Sequence, residues 1–119
     1  MPIRIEKENE GIVVIRATGT LISDDYPLFT AQFEQIARKS RMLYVLFDMT
    51  GFEGWDPKGA WEEVKFDIQH NHDIRRLAVI GDEKWHHALV IVLKPLAAAE
   101  VRYFRCGEAN EARHWLKNP

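Results

Sequence analysis

The sequence predicts an α/β domain with a mixed, mostly parallel sheet, and three observations lead to this prediction. Strand-like and helix-like segments alternate along most of the 119 residues. Six consecutive apolar residues, 42–47, form a run that is short enough for a strand and is typical of one buried on both faces. No repeat, linker or low-complexity stretch divides the chain, so residues 1–119 are expected to form one domain.

The composition of the chain argues against some classes of protein function. The chain is 46% hydrophobic and 29% charged, and at this size a domain buries roughly two-thirds of its unfolded surface without metals or disulfides. The net charge is −2 with no dense Lys/Arg cluster, which argues against nucleic-acid binding. Cys106 is the single cysteine and is expected to be a small apolar residue at a strand end. Without a signal-like N-terminus or a membrane-length apolar stretch, a cytoplasmic protein is expected.

The first third of the chain predicts a β-hairpin followed by a helix. Apolar and polar residues alternate over 3–6, as in a half-buried edge strand, and the β-branched segment 12–18 supplies its partner. Ser23 and Asp24 are candidate N-caps of a helix that ends with positive charge at 39–41. The predicted apolar face of this helix comprises Leu28, Phe29, Phe33, Ile36 and Ala37.

The remaining chain alternates predicted strands and helices. The predicted elements are a central strand at 42–47, a helix at 57–70, a strand at 77–80, a helix at 82–93 capped by Asp82, a strand at 101–104 and a helix after Gly107. The predicted inward residues of the last two helices are Trp85, Ala88, Leu89 and Val92, then Ala109, Ala112, Trp115 and Leu116. The order is therefore β-β-α-β-α-β-α-β-α, about five strands and four helices joined by right-handed crossovers.

This order, with a DMTG turn leaving the central strand, resembles the STAS fold. Three sequence blocks, FEGWDPKGAWEEVKFD, LAVIGDEKWHHAL and AEVRYFRCGEANEARHWL, resemble the SpoIIAA-like family of small bacterial proteins. The resemblance covers essentially the whole chain. It implies a mixed sheet covered by helices, kinship with CRAL-TRIO lipid-binding domains, and binding of an apolar ligand or association with a membrane.

The chain departs from the sporulation regulators of this fold at one loop. Those proteins carry a phosphorylatable serine in an Asp-Ser-Ser-Gly run, where this sequence has Asp56-Pro57-Lys58-Gly59. Thr50 is the nearest alternative hydroxyl, and its expected role is a hydrogen bond within the turn. A phosphorylation switch of that kind is therefore not expected.

Histidines and carboxylates do not predict catalysis or a metal site. His70 and His72 diverge at a helix end, His86 and His87 are adjacent and also diverge, and His114 stands alone, so all five are expected at the surface. No serine or cysteine nucleophile accompanies a histidine, and no phosphate-binding glycine motif occurs. No catalytic residue, metal or cofactor is predicted.

Asp48 is the best placed carboxylate, because it follows the buried central strand. Acid–base chemistry with the neighbouring Glu53 and Asp56 is one interpretation. The alternative is that Asp48 caps the turn by accepting backbone N–H bonds.

The aromatic residues predict an apolar pocket. Trp55 lies in a glycine-flanked segment predicted as a loop, where a large apolar side chain is costly unless something covers it. The predicted pocket lies between the helices at 57–70 and 82–93 and is lined by Phe52, Trp55, Trp61, Phe66, Trp85, Leu89 and Leu93. The alternative is that Trp55 and Trp61 fold down as a lid over the core.

The favoured function is a non-enzymatic domain that binds an apolar, lipid-like molecule and associates peripherally with membranes. A protein-interaction or regulatory module, acting on another protein or as a homodimer, is the alternative. An enzyme based on Asp48 is a third and weaker interpretation.

Overall fold

The computed structural model describes residues 3–8, 11–21, 26–39, 43–55 and 74–117. The strands are β1 (Ile3–Lys7), β2 (Ile12–Ala17), β3 (Gly19–Leu21), β4 (Leu43–Asp48), β5 (Phe52–Trp55), β6 (Ile74–Gly81) and β7 (Glu100–Arg105). The helices are α1 (Tyr26–Lys39), α2 (Lys84–Leu93) and α3 (Ala109–Lys117), and a 3₁₀ turn spans Lys94–Leu96.

A five-stranded sheet forms the centre of the described structure. Its strand order is β1-β2-β4-β6-β7. β1 pairs antiparallel with β2, and the other neighbours pair in parallel. The mixed, mostly parallel α/β sheet confirms the predicted fold class.

The central strand β4 is buried on both faces, as predicted. Val45, with no exposed surface, packs on one face in a core that includes Phe33 of α1 and Val90 of α2. Leu46, 2% exposed, packs on the other face against Ala112 and Leu116 of α3. Helices α1 and α2 thus cover one face of the sheet and α3 the other. The predicted inward residues Phe33, Ala112 and Leu116 are confirmed.

Two short strands were not predicted. β3 and β5 pair in parallel as a separate two-stranded sheet, where β3 follows the predicted strand at 12–18 and Trp55 of β5 was expected in a loop. Gly19 and Gly51 adopt positive φ angles of 64° and 81°, and the Gly19 N–H donates to the Gly51 carbonyl at 2.9 Å. The strands are only 3 and 4 residues long, too short for a periodic pattern to emerge. The helix predicted at 57–70 lies outside the described residues.

The predicted inward face of α2 was wrong for three of its four residues, and of these four only Leu89 packs against the core. The helix buries His86, which has no exposed surface, and Val90, which is 6% exposed. Trp85 and Val92, expected inside, are 38% and 59% exposed, and Ala88 is exposed as well. Apolar residues occur all round this helix, so their spacing does not define a single buried side.

Polar contacts connect α3 with Glu8, which follows β1, and with Arg76 of β6. The Arg113 guanidinium donates to both carboxylate oxygens of Glu8, at 3.1 and 3.0 Å. The hydrogen bond and positive charge of Arg113 lower the pKa of Glu8, although partial burial acts in the opposite direction. Arg76 donates to the Trp115 carbonyl at 2.9 Å, and its guanidinium carbon lies 4.8 Å from the centroid of the Trp115 ring.

The Glu8–Arg113 pair predicts an acid-sensitive contribution to stability. Because the pKa of Glu8 is lowered in the folded state, its contribution is fully present above the unfolded pKa of about 4.5 and is lost as pH falls through the folded value. Replacing Glu8→Gln should lower the free energy of unfolding at pH 7, and the difference from wild type should vanish at strongly acidic pH. Urea titrations from pH 7 to pH 2 measure this difference.

The matched control is Glu6→Gln. Glu6 is exposed on the same hairpin and forms no ion pair among the described residues. This variant should retain the wild-type pH dependence. An equal loss of pH dependence in both variants would show that general charge removal, and not the Arg113 contact, is responsible.

Candidate functional site

The turn after β4 is organised by Asp48. Its Oδ1 accepts the Thr50 N–H at 2.9 Å, and its Oδ2 accepts from Arg16 Nη1 at 3.0 Å. The interpretation of Asp48 as a turn-capping residue is confirmed. Both carboxylate oxygens of Asp48 therefore accept hydrogen bonds, and these bonds position the turn that leads into β5.

Asp82 joins the end of β6 to the same turn. Its Oδ2 accepts the Gly51 N–H at 3.2 Å, and its own N–H donates to His86 Nδ1 at 3.2 Å. The N-cap of α2 is Glu83, not Asp82 as predicted, and its side chain makes no capping hydrogen bond. Asp82 therefore connects the turn after β4 with the first turn of α2.

His86 is buried, which contradicts its expected surface position. Its Nε2 lies 2.9 Å from the Phe52 carbonyl oxygen, which can only accept a hydrogen bond. The proton is thus on Nε2, while Nδ1 accepts from the Asp82 N–H. Backbone partners at both ring nitrogens, with Asp82 Oδ1 also 3.3 Å from Nδ1, explain how a polar side chain with no exposed surface is accommodated. It also ties α2 directly to β5.

Three of the predicted pocket residues lie in one region. The Phe52 and Trp85 ring centroids are 5.9 Å apart, and the Trp85 and His86 ring centroids are 4.2 Å apart with their planes inclined by 66°. Leu89 is partly buried against the core cluster that contains Phe52. Phe52 itself is 3% exposed and Trp85 is 38% exposed, so the pair extends from the core to the surface.

The remaining pocket residues are only partly described. Trp55 ends strand β5 and does not lie in a loop as predicted. Leu93 is the last residue of α2. Trp61 and Phe66 lie outside the described residues.

The outward face of α2 is largely apolar, although the exposed Lys84 lies on it as well, and this face was not predicted from the sequence. Ile91 and Val92 are 62% and 59% exposed, and Trp85, about two turns before Val92, is 38% exposed. A signal was present, because ALVIVL over 88–93 contains six consecutive apolar residues. A helix that buries only one face does not require six consecutive apolar residues, so some of them are expected to be exposed.

The side of α2 that carries His87 contacts β7. The exposed His87 ring stacks on Tyr103 with centroids 4.5 Å apart and planes 10° apart. Burial and then the negative charge of Asp82 raise the pKa of Tyr103. Cys106, expected as an apolar residue at a strand end, is exposed in the turn after β7.

The described part of the chain lacks two further features, a metal site and a membrane-spanning helix. No three His, Cys, Asp or Glu residues there converge in a way that could hold a metal ion. None of the helices there is both long and apolar enough to cross a membrane.

Substitutions at the adjacent residues His86 and His87 test whether His86 holds α2 against β5. His86→Phe keeps an aromatic ring but removes both hydrogen bonds, which leaves the Phe52 carbonyl without its partner in a buried environment. Unfolding free energy should fall by about 2–4 kcal/mol, as measured by urea denaturation. The control, His87→Phe, preserves an aromatic stack on Tyr103 and should cost less than about 0.5 kcal/mol. Equal losses in the two variants would contradict the anchoring role of His86.

Comparisons with known proteins agree with this architecture. The SpoIIAA-like family model matches residues 12–117. An uncharacterised protein of the DUF3478 family from Shewanella loihica PV-4, with a SpoIIAA-like fold, matches with a TM-score of 0.78 and 25% sequence identity over 96% of this chain and 91% of that chain. No curated protein matches the sequence. On the family match and the shared fold, the chain belongs to the SpoIIAA-like family.

Proposed function

We propose that this SpoIIAA-like domain is a non-enzymatic module that binds an apolar, lipid-like molecule and docks peripherally on membranes. The binding surface is the outward face of α2, together with the exposed Trp85 near its N-terminal end. The observation that carries the proposal is the exposure of Ile91 (62%) and Val92 (59%) on a helix whose buried side is already filled.

The energetics favour an apolar partner for this face. Complete burial of an aliphatic side chain contributes about 1.5–3 kcal/mol, so covering the exposed parts of Ile91 and Val92 would supply about 1–2 kcal/mol each. Trp85 adds a large ring with a polar N–H, which suits the boundary between lipid tails and headgroups. The face is small, so it fits peripheral and reversible attachment.

The polar groups near this face support a binding role more than a catalytic one. Asp48 is paired with Arg16 and the Thr50 N–H, and His86 is enclosed with both ring nitrogens bonded to backbone groups. These contacts position the turn and the helix. A general base needs an atom within reach of substrate, and His86 has no exposed surface.

A protein-interaction module is the second candidate. The observation that favours it is that charged residues, Glu83 and Lys94, flank the apolar face at its two ends and are both exposed. An apolar centre with a charged rim is typical of protein interfaces. Binding to protein and binding to lipid would then use the same side of α2.

The lipid proposal predicts that the paired substitution Ile91→Gln and Val92→Gln abolishes binding. Glutamine keeps the net charge and favours the helix slightly more than isoleucine or valine, so the fold should be retained. Co-sedimentation with vesicles of phosphatidylethanolamine and phosphatidylglycerol should fall at least tenfold. Tryptophan fluorescence should stop responding to vesicles and to fatty-acid probes.

The matched control is the paired substitution Ile91→Leu and Val92→Leu, which preserves the apolar surface. It should bind vesicles within about twofold of wild type. Absence of vesicle and fatty-acid binding by the wild-type protein, or undiminished binding by the glutamine variant, would refute the proposal.

A further inference from the structure

We infer that the free edge of β7 binds an extended, acidic segment of another protein as an additional strand of the main sheet. β7 is the last strand in the described order, and it pairs with β6 on one side only. A strand with a free edge presents main-chain N–H and C=O groups with which another chain can pair. The site does not include α2, so the inference is independent of the proposed lipid-binding surface.

The direction of each main-chain group of β7 follows from a contact at the end of the strand. Successive residues of a strand point their N–H and C=O groups to opposite sides. The Cys106 N–H donates to the Gly81 carbonyl of β6 at 2.9 Å, so the even-numbered residues of the strand face β6. The odd-numbered residues Val101, Tyr103 and Arg105 therefore face away from it.

One end of this edge is already closed. Glu108 accepts the Arg105 N–H with its Oε1 at 2.7 Å and donates its own N–H to the Arg105 carbonyl at 2.9 Å. Among the residues that the structure describes, the main chains of Val101 and Tyr103 have no such partner. Their side chains pack in the core, so the groups open to a partner are those of the main chain. The unpaired stretch is therefore short and covers residues 101–103.

Arg102 determines which charge the partner carries. Its side chain is exposed on the α3 side of the sheet, with the guanidinium carbon 5.2 Å from the Phe104 ring centroid. It forms no ion pair among the described residues. Because its main chain faces β6, Arg102 takes the position at which the side chains of two antiparallel strands come closest. An acidic residue directly opposite would form a charge-assisted contact there.

The neighbouring charges leave that of Arg102 uncompensated. β6 and β7 also place Arg76 and Glu100 on the α3 side, and these two are paired at 3.3 Å. The carboxylate of Glu108 is bonded to the main chain of β7. Asp82 lies beside the first turn of α2, on the opposite side of the sheet. The α3 side of this edge is therefore positive and complementary to an acidic segment.

Arg102 also argues against a second copy of this chain as the partner. Two antiparallel β7 strands about a twofold axis use the open groups fully when Val101 of one copy lies opposite Tyr103 of the other. That register places the two Arg102 side chains directly opposite each other, where like charges repel. Shifting the strands loses pairs, because Ala99 precedes β7 and the main chain of Arg105 is already bonded. A different chain with an acidic residue at the central position meets neither obstacle.

A synthetic peptide, acetyl-Thr-Val-Glu-Val-Thr-amide, tests the site. It places its glutamate opposite Arg102 and its valines opposite Val101 and Tyr103. In ¹H–¹⁵N NMR titrations it should bind reversibly and slow hydrogen exchange at the Val101 and Tyr103 amides, but not at the Arg102 amide, which already faces β6. Before peptide is added, the Tyr103 amide should exchange faster than the Arg102 amide.

Two matched peptides and two protein variants separate the contributions of charge and main-chain pairing. A peptide with N-methylated valines lacks the donors and should not bind. A peptide with lysine in place of glutamate should bind at least about fivefold more weakly. Arg102→Glu should reverse this preference, with circular dichroism confirming that the variant is folded. The Ile91→Gln, Val92→Gln variant should bind the glutamate peptide as wild type does.

Four results would overturn the inference: no binding of the glutamate peptide, undiminished binding of the N-methylated peptide, an unchanged charge preference in Arg102→Glu, or loss of peptide binding in the α2 variant. Vesicle binding without peptide binding would remove this inference alone. Peptide binding without vesicle binding would support it and remove the lipid proposal.

Discussion

The buried hydrogen bonds of His86 determine how α2 sits on the sheet. The imidazole donates to the Phe52 carbonyl and accepts from the Asp82 N–H, so one side chain joins β5, the end of β6 and the helix. Satisfying these groups requires His86 to face inward, and the helix is rotated accordingly. Val90 follows it into the core, while Ile91 and Val92 are turned to solvent. The exposed apolar face is thus a consequence of a buried polar contact.

The main sheet could be predicted because its determinants are local and repetitive. The apolar run at 42–47 marked β4 as a strand buried on both faces, and the alternating elements implied parallel neighbours on either side. The β3–β5 pair could not be predicted in this way, since it depends on a contact between Gly19 and Gly51, 32 residues apart in the sequence, and on strands too short to show a period. Family resemblance gave the fold but carried no information on this pairing.

The candidate site was predictable in part for the same reasons. Phe52, Trp85 and Leu89 were expected near one another, and the structure places Phe52 beside Trp85 and packs Leu89 against the core that contains Phe52. The orientation of α2 was not predicted, because hydrophobic spacing ranks tryptophan and valine above histidine for burial. Here the hydrogen bonds of a buried histidine outweigh that ranking. The resulting surface changes the proposed site from an enclosed pocket to an exposed helix face, and the proposal of lipid docking rests on that face.

The central claim is that the outward face of α2 is the binding surface. Paramagnetic line broadening in ¹H–¹⁵N NMR spectra, measured with vesicles that contain a doxyl-labelled phospholipid, tests it residue by residue. We expect the strongest broadening at Ala88, Ile91 and Val92, with little effect at the exposed residues Asn110 and Glu111 of α3, on the opposite face of the sheet. Broadening centred on α3, or none at all on α2, would contradict the account.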